Sequence, residues 1–314
     1  MSFTAEVKEE LSRVEPTCSH CDAATLSALI RIEGSILFSG PGKFRLEIST
    51  DVPQVARFII RALHGMYALK TDLTMRRSVL HKTPNWLIDV PTQPHLTEAL
   101  YDLGIIGKEG LKRGIDPKLV QKSCCASAYL RGVFLGSGFI SNPRGDFHFE
   151  LKVESQTMAN DIVSLLAKKD IHAKIVERRN SFTVYLKSGA AISSFLAFVG
   201  AHQSALKMEN ERVIKSVRNE VNRRVNAEIA NQAKTAEASV EQVQAIRTLL
   251  DHRDIKSLPR GLQEYIQLRV RYPEATLKEL GERANPSLSK SAIYHRVRRI
   301  EQMAREVSGK PTKK

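Results

Sequence analysis

One unusual segment is carried twice. Residues 128–140, "AYLRGVFLGSGFI", are apolar and glycine-studded and hold a single charge; residues 26–36, "LSALIRIEGSI", have the same shape. A helix without a broad polar face must be covered on most sides, so each copy belongs inside a fold. Adding 104 takes Leu26 to Leu130, Gly34 to Gly138 and Asp51 to Ser155; later the offset falls to 96 and takes Leu103-Gly104 to Val199-Gly200. Everything between those landmarks is therefore repeated, with one shorter loop in the second copy.

The first copy reads as a helix from Asp22 to Gly34, then "SILFS" and "KFRLEIST". In the latter, Phe44, Leu46 and Ile48 alternate with Lys43, Arg45 and Glu47, the period of a half-buried strand. Asp51 and Pro53 open a helix through "VARFIIRALHGMY", two strands follow near 69–79 and 85–90, and "TQPHLTEALYDLG" closes the unit. The second copy has a helix at 126–138, a strand with Phe147, Phe149, Leu151 and Val153 on one face, and a helix capped by Ser155. Strands near 172–178 and 181–187 lead to the helix "GAAISSFLAFVG".

Two αββαββα units, each opened by a helix that ends in a small-residue turn, resemble the LAGLIDADG homing-endonuclease fold. The motif copies would be Leu26–Gly34 and Leu130–Gly138, and the resemblance implies that the two helices pack together on a pseudo-two-fold axis, with Gly132 and Gly136 allowing close approach. In the nucleases the acid before each final Gly holds a divalent metal between the helix ends. Here Glu33 keeps the acid and Ser137 replaces it in the second copy; a hydroxyl is a poor ligand for a hard cation. The strands add Lys43, Arg45 and Lys152 but also Glu47, Glu150 and Glu154, which repel phosphate. A catalytically dead scaffold, with no catalytic residue, bound metal or cofactor, is the expectation.

Four cysteines are too few for a disulfide scaffold in 314 residues. Cys18-x-x-Cys21 and Cys124-Cys125 look like halves of a zinc site, and the offset of 104 places Cys125 on Cys21. Adjacent cysteines are not the usual second half of such a site, however, and no histidine spacing beyond His20 supports one. Buried or idle thiols are the default.

From Ser204 a helical run carries Val213, Val217, Val221, Val225 and Ile229 in a narrow stripe among Arg212, Lys215, Arg218, Arg223 and Arg224. A helix packed on a neighbour and a helix that touches DNA phosphates are both open readings. Next, "ATLKELGERANPSLSKSAIYHRVRRIEQMAREV" reads as a helix-turn-helix: Thr276 and Glu279 form a capping box, "NPSL" the turn, and Ser289 caps the second helix. Inward Ile293, Val297 and Ile300 leave Lys290, Ser291, Tyr294, His295 and Arg298 exposed early, flanked by Arg299. Such a helix start enters the major groove, where Lys, Arg and hydroxyls meet base edges; a protein-binding bundle is the plainer reading.

The formal net charge of +14 favours a polyanionic partner. Residues 201–314 hold 23 Lys+Arg against 14 Asp+Glu, or +9, so basicity is concentrated in the last third. The opening is too polar for a signal peptide, and no apolar run is long enough to span a bilayer, so a cytoplasmic, nucleoid-associated protein without membrane contact is expected.

These readings divide the chain into an N-terminal extension (1–19), a degenerate LAGLIDADG-like domain (20–202, repeats 20–104 and 124–202), a basic linker helix (203–237), a helix-turn-helix domain (238–308) and a basic tail (309–314). The fold class is α+β followed by an all-α module. This order, with "RVIKSVRNEVNRRVN" and "LSKSAIYHRVRRIE" as the most specific stretches, is similar to the WhiA family of bacterial regulators. The resemblance implies a sequence-specific regulator of transcription in Gram-positive bacteria, tied to cell division, chromosome segregation and, in spore formers, sporulation. Double-stranded DNA is the expected partner. An active homing-type endonuclease, or an interaction hub that binds another transcription regulator through its N-terminal domain, are the alternatives.

Overall fold

In the computed structural model of the chain, residues 2–40, 43–77, 84–179 and 181–308 are described. The expected tail at 309–314 and part of the expected strand at 69–79 lie outside them. The chain divides into two compact units, Met1–Ser216 and Val217–Lys314.

The first unit opens with α1 (Phe3–Leu11), which buries Phe3, Val7 and Leu11 in the common core. The first repeat follows as α2 (Cys21–Glu33), β1 (Gly34–Gly40), β2 (Lys43–Thr50), α3 (Pro53–Tyr67), β3 (Asp72–Arg77), β4 (Pro84–Val90) and α4 (Leu96–Asp102). A connection that the sequence left unassigned forms a short hairpin, β5 (Ile106–Gly107) with β6 (Gly110–Leu111), and a 3-10 turn at Pro117–Val120. The second repeat runs α5 (Ser123–Ser137), β7 (Gly138–Ile140), β8 (Phe149–Val153), α6 (Gln156–Ala167), β9 (Lys174–Arg178), β10 (Ser181–Leu186) and α7 (Gly189–Val199).

The two antiparallel sheets have the same strand order, β1-β2-β4-β3 and β7-β8-β10-β9. Leu46 and Ile48 in one, and Phe149, Leu151 and Val153 in the other, point into the core, as their alternation requires. The repeat extends to single hydrogen bonds. Ser27 Oγ donates to the Leu103 carbonyl (2.7 Å), and Arg131 Nε, at the equivalent position, donates to the Val199 carbonyl (3.1 Å). Gly104 and Gly200 then end the two repeats at φ +63° and +100°, in a left-handed turn that favours glycine.

The basic helix expected at 203–237 does not end there. A single helix, α8, runs from His202 to Leu250. The stretch "KTAEAS" contains neither Gly nor Pro, and its Ala, Glu and Lys propagate a helix. The carboxylate of Glu10 satisfies the start of α8, accepting from the backbone N–H of Gln203 (2.8 Å) and of Ser204 (3.0 Å). It does from a distant helix what an N-cap side chain does locally.

The second unit adds α9 (Arg260–Arg271), α10 (Leu277–Glu282) and α11 (Lys290–Val307) around its own core of Ile246, Leu249, Tyr265, Ile266, Leu280 and Ile293 with their neighbours. Arg269, 2% exposed, gives that core a buried cation; its guanidinium donates to the carbonyls of Ala275 (2.6 Å) and Pro273 (3.3 Å) and so fixes the approach to α10.

Candidate functional site

In the second unit the helix-turn-helix is assembled from sequence-local parts. Thr276 Oγ1 accepts from the Glu279 N–H (3.3 Å) while the Glu279 carboxylate accepts from the Thr276 N–H (2.7 Å). These reciprocal bonds close the capping box at the start of α10. Ser289 Oγ accepts from the Ala292 N–H (3.2 Å) and so caps α11. Ile293, Val297 and Ile300 are buried on the inner face. Ser289, Lys290, Ser291, Tyr294, His295, Arg298 and Arg299 are all on the outer side, Tyr294 with 49% exposure. The structure brings these residues together on the solvent side of one helix, within its first three turns. That face offers ammonium, guanidinium, hydroxyl and imidazole groups, the donors and acceptors that read base edges or bind phosphate.

Two residues that support this face carry no signal in the linear pattern. Glu264 on α9 accepts from Arg296 Nη1 (2.8 Å) and from the Asn285 N–H (2.8 Å), so one carboxylate ties α11 to the turn before it. Those hydrogen bonds, the Arg296 one foremost, hold its pKa below the usual carboxylate range. Gly281 lets the turn fold back: a Cβ there would lie 2.3 Å from the Leu288 carbonyl oxygen, whose residue donates its N–H to the Gly281 carbonyl (2.9 Å). A capping box marks a helix start, but such cross-chain contacts are visible only once the elements are packed.

Arg218, Arg223 and Arg224 are exposed on α8, as are Val213, Val217, Val221, Val225 and Ile229. Arg224 borders a groove that also carries Glu228, Glu274 and Glu279, so its surroundings are acidic.

In the first unit, α2 and α5 pack against each other along the small-residue side of α5. A Cβ on Gly132 would meet the Thr25 carbonyl oxygen at 2.7 Å and Ala28 Cβ at 2.8 Å; one on Gly136 would meet Ile32 Cγ2 at 2.6 Å. This juxtaposes the C-terminal ends of both helices, where Glu33 and Ser137 stand. Burial pushes the Glu33 carboxyl up to about 7, against the opposing influence of the Lys8 ammonium; Asp51 raises it further. Lys8 Nζ itself reaches the Gly136 carbonyl (3.4 Å), so α1 places a cation at this end of the helix pair. Ser137 Oγ turns back to the Val133 carbonyl of its own helix (3.4 Å). A half-protonated acid, a nearby ammonium and an inward hydroxyl make a poor set for a hard divalent cation.

Some charges on the sheet surfaces are paired within the sheets. Arg45 forms a two-pronged bond to Asp89 (2.8 and 3.0 Å) beside Glu47, and Glu150 accepts from His148 (2.8 Å) near Arg178. No helix among the described residues is long and apolar enough to cross a membrane.

Of the four cysteines, Cys21 and Cys125 are buried and Cys18 and Cys124 half-buried. Their Sγ atoms all lie within 4.8 Å of one another. The Cys18 thiol is drawn down to about 6, chiefly by the backbone N–H of His20 and then by Cys21, whereas burial pushes the Cys125 thiol up to about 12. The offset of 104 places Cys125 on Cys21, and the packing of α2 on α5 brings the two pairs together.

The fold and site define a two-part protein, a pseudo-symmetric LAGLIDADG-like α+β domain joined to an all-α helix-turn-helix domain. Family profiles agree: the WhiA N-terminal LAGLIDADG-like domain matches residues 19–106, the WhiA LAGLIDADG-like domain 126–218, and the WhiA C-terminal HTH domain 221–304. The chain belongs to the WhiA family. It is 41% identical to the probable cell division protein WhiA of Desulforamulus reducens over 99% of this chain and 98% of that protein. The protein of the same name from Alkaliphilus metalliredigens is 39% identical, over 99% of each chain. The crystal structure of full-length WhiA from Thermatoga maritima shares the fold, with a TM-score of 0.59 at 24% identity, covering 98% of this chain and 99% of that one.

Proposed function

We propose that this chain is a sequence-specific DNA-binding regulator of transcription, acting in cell division and chromosome segregation, and in sporulation among spore-forming relatives. The observation that carries this reading is the exposed start of α11. There Lys290, Ser291, Tyr294, His295 and Arg298 face solvent while Ile293, Val297 and Ile300 anchor the helix from behind. A rigid helix with that chemistry on its first turns is suited to the major groove of double-stranded DNA. Arg299, Arg218, Arg223 and Arg224 would add phosphate contacts that strengthen binding without reading sequence. The tie to cell division rests on the relatives, each a probable cell division protein.

The LAGLIDADG-like domain is read as a scaffold that cuts no phosphodiester and serves to contact another transcription regulator. The surroundings of Glu33 and Ser137 support the loss of cleavage. The protein would act on the nucleoid in the cytoplasm.

Selection of duplexes from a random pool by the full chain tests the reading. A defined motif is expected, and unselective retention would contradict sequence-specific binding. In parallel, supercoiled DNA with Mg²⁺ or Mn²⁺ should remain unnicked; nicking abolished by Glu33→Gln would establish a working nuclease.

A further inference from the structure

The cysteine cluster at the other end of the α2–α5 pair is left unused by DNA binding. Cys18 and Cys21 come from the turn into α2, and Cys124 and Cys125 from the first turn of α5. Cys18 Sγ lies 3.5 Å from Cys21 Sγ, 3.6 Å from Cys125 Sγ and 3.7 Å from Cys124 Sγ. These separations are too long for a disulfide, whose sulfurs are bonded at about 2.05 Å. They are close to those of a tetrahedral site, in which four sulfurs at about 2.3 Å from one ion stand about 3.8 Å apart, and the remaining pairs all lie within 4.8 Å. Idle thiols have no reason to converge in this way from two distant stretches of chain.

The turn favours the thiolate at Cys18, whereas burial raises the Cys21 and Cys125 thiols, whose protons a bound cation would have to displace. The Cys21 N–H closes a tight turn on the Cys18 carbonyl (3.0 Å), and within that turn the backbone N–H of His20 faces Cys18 Sγ. The backbone of Cys18 and Thr17 faces Cys21 Sγ. Neither His20 at the start of α2 nor Lys122 at the start of α5 supplies a side-chain cap. Both helix N-termini therefore present unsatisfied N–H groups beside the sulfurs. Arg131, a buried guanidinium that senses Cys21, adds a compensating positive charge. Cys21 and Cys125, at 2% and 3% exposure, shield one side of the cluster, while Cys18 and Cys124 remain partly open as an entry path.

We propose that Cys18, Cys21, Cys124 and Cys125 bind a single tetrahedral Zn²⁺ ion that staples the two repeats together at the N-termini of α2 and α5. An all-thiolate tetrahedral set with no open position is a structural zinc site, so the ion holds the fold and does no chemistry on DNA. Binding releases the thiol protons and couples metal affinity to the stability of the first unit.

The full chain, purified reduced and without chelator or a histidine tag, should contain about one zinc per chain by elemental mass spectrometry. Stripped protein titrated with Co²⁺ should develop the thiolate-to-metal charge-transfer and visible bands of a tetrahedral tetrathiolate site. Zinc should displace that spectrum. A strong chelator should lower the melting temperature by about 5 °C or more, and added zinc should restore it. Cys18→Ser, at a partly exposed ligand that perturbs the core least, should weaken metal retention at least tenfold. Reduced protein that holds little zinc and gives no Co²⁺ charge-transfer band would overturn the proposal. So would an iron–sulfur absorption spectrum, or a melt that is blind to chelator.

Discussion

Glu33 shows how one residue can keep the letter of a motif while its surroundings change the chemistry. Its carboxyl is raised from about 4.5 to about 7 by burial. The folded state thus holds the proton more tightly than the unfolded chain, and this contribution to stability is complete below about pH 4.5 and lost as pH rises through about 7. Allowing for solvent access, the loss should be about 2 kcal/mol. Glu33→Gln should therefore melt like the parent at low pH and above it at pH 8, and parallel pH profiles for the two proteins would contradict the assignment. Gly281 is the counterpart in the second unit. A Cβ at this position would stand 2.3 Å from the Leu288 carbonyl oxygen. Gly281→Ala should accordingly destabilise the helix-turn-helix by about 1–3 kcal/mol and weaken DNA binding with it. Thermal denaturation followed by helical signal measures the first effect.

Among the elements, the pair α2 and α5 carries the largest consequence. Gly136→Leu drives a side chain into Ile32 and Glu33. It should lower the melting temperature of the first unit, at a cost of about 1–3 kcal/mol or more. An unchanged melt would mean that the helices separate easily in solution. The repeat, its strand alternation and the caps at Ser155, Thr276 and Ser289 were legible because each is written locally, at periods of about 2 and 3.6 residues or as a cap near its partner, whereas Asp51 makes no cap and α3 starts behind Val52. The solvent face of α11 was legible for the same reason, since buried Ile293, Val297 and Ile300 determine what lies opposite. Contacts between distant stretches were not. The Glu264 tie to Arg296 and Asn285 and the Lys8 ammonium near Glu33 depend on packing, whereas the meeting of the two cysteine pairs was hinted at by the repeat offset and discounted for want of a usual zinc spacing. The continuity of α8 through 234–239 was missed for a different reason. The domain boundary at 237/238 falls inside one helix, because nothing in that stretch stops a helix.

At the scale of the whole molecule, the two units are assigned different tasks. The first holds a pseudo-symmetric scaffold whose paired helix ends carry Glu33 and Ser137, and the second presents a basic, hydroxyl-bearing helix start to solvent. The central claim is that α11 reads sequence while α8 holds phosphate. It is tested most directly by measuring DNA affinity of the full-length protein on a selected site and on unrelated duplex, across a series of salt concentrations. Lys290→Ala and Arg298→Ala should each cost about 1–3 kcal/mol on the selected site and relax its sequence preference. Arg223→Ala should weaken both duplexes alike and reduce the salt slope by about 1. If Lys290→Ala and Arg298→Ala both bind the selected site like the parent, with preference intact, recognition lies elsewhere in the chain.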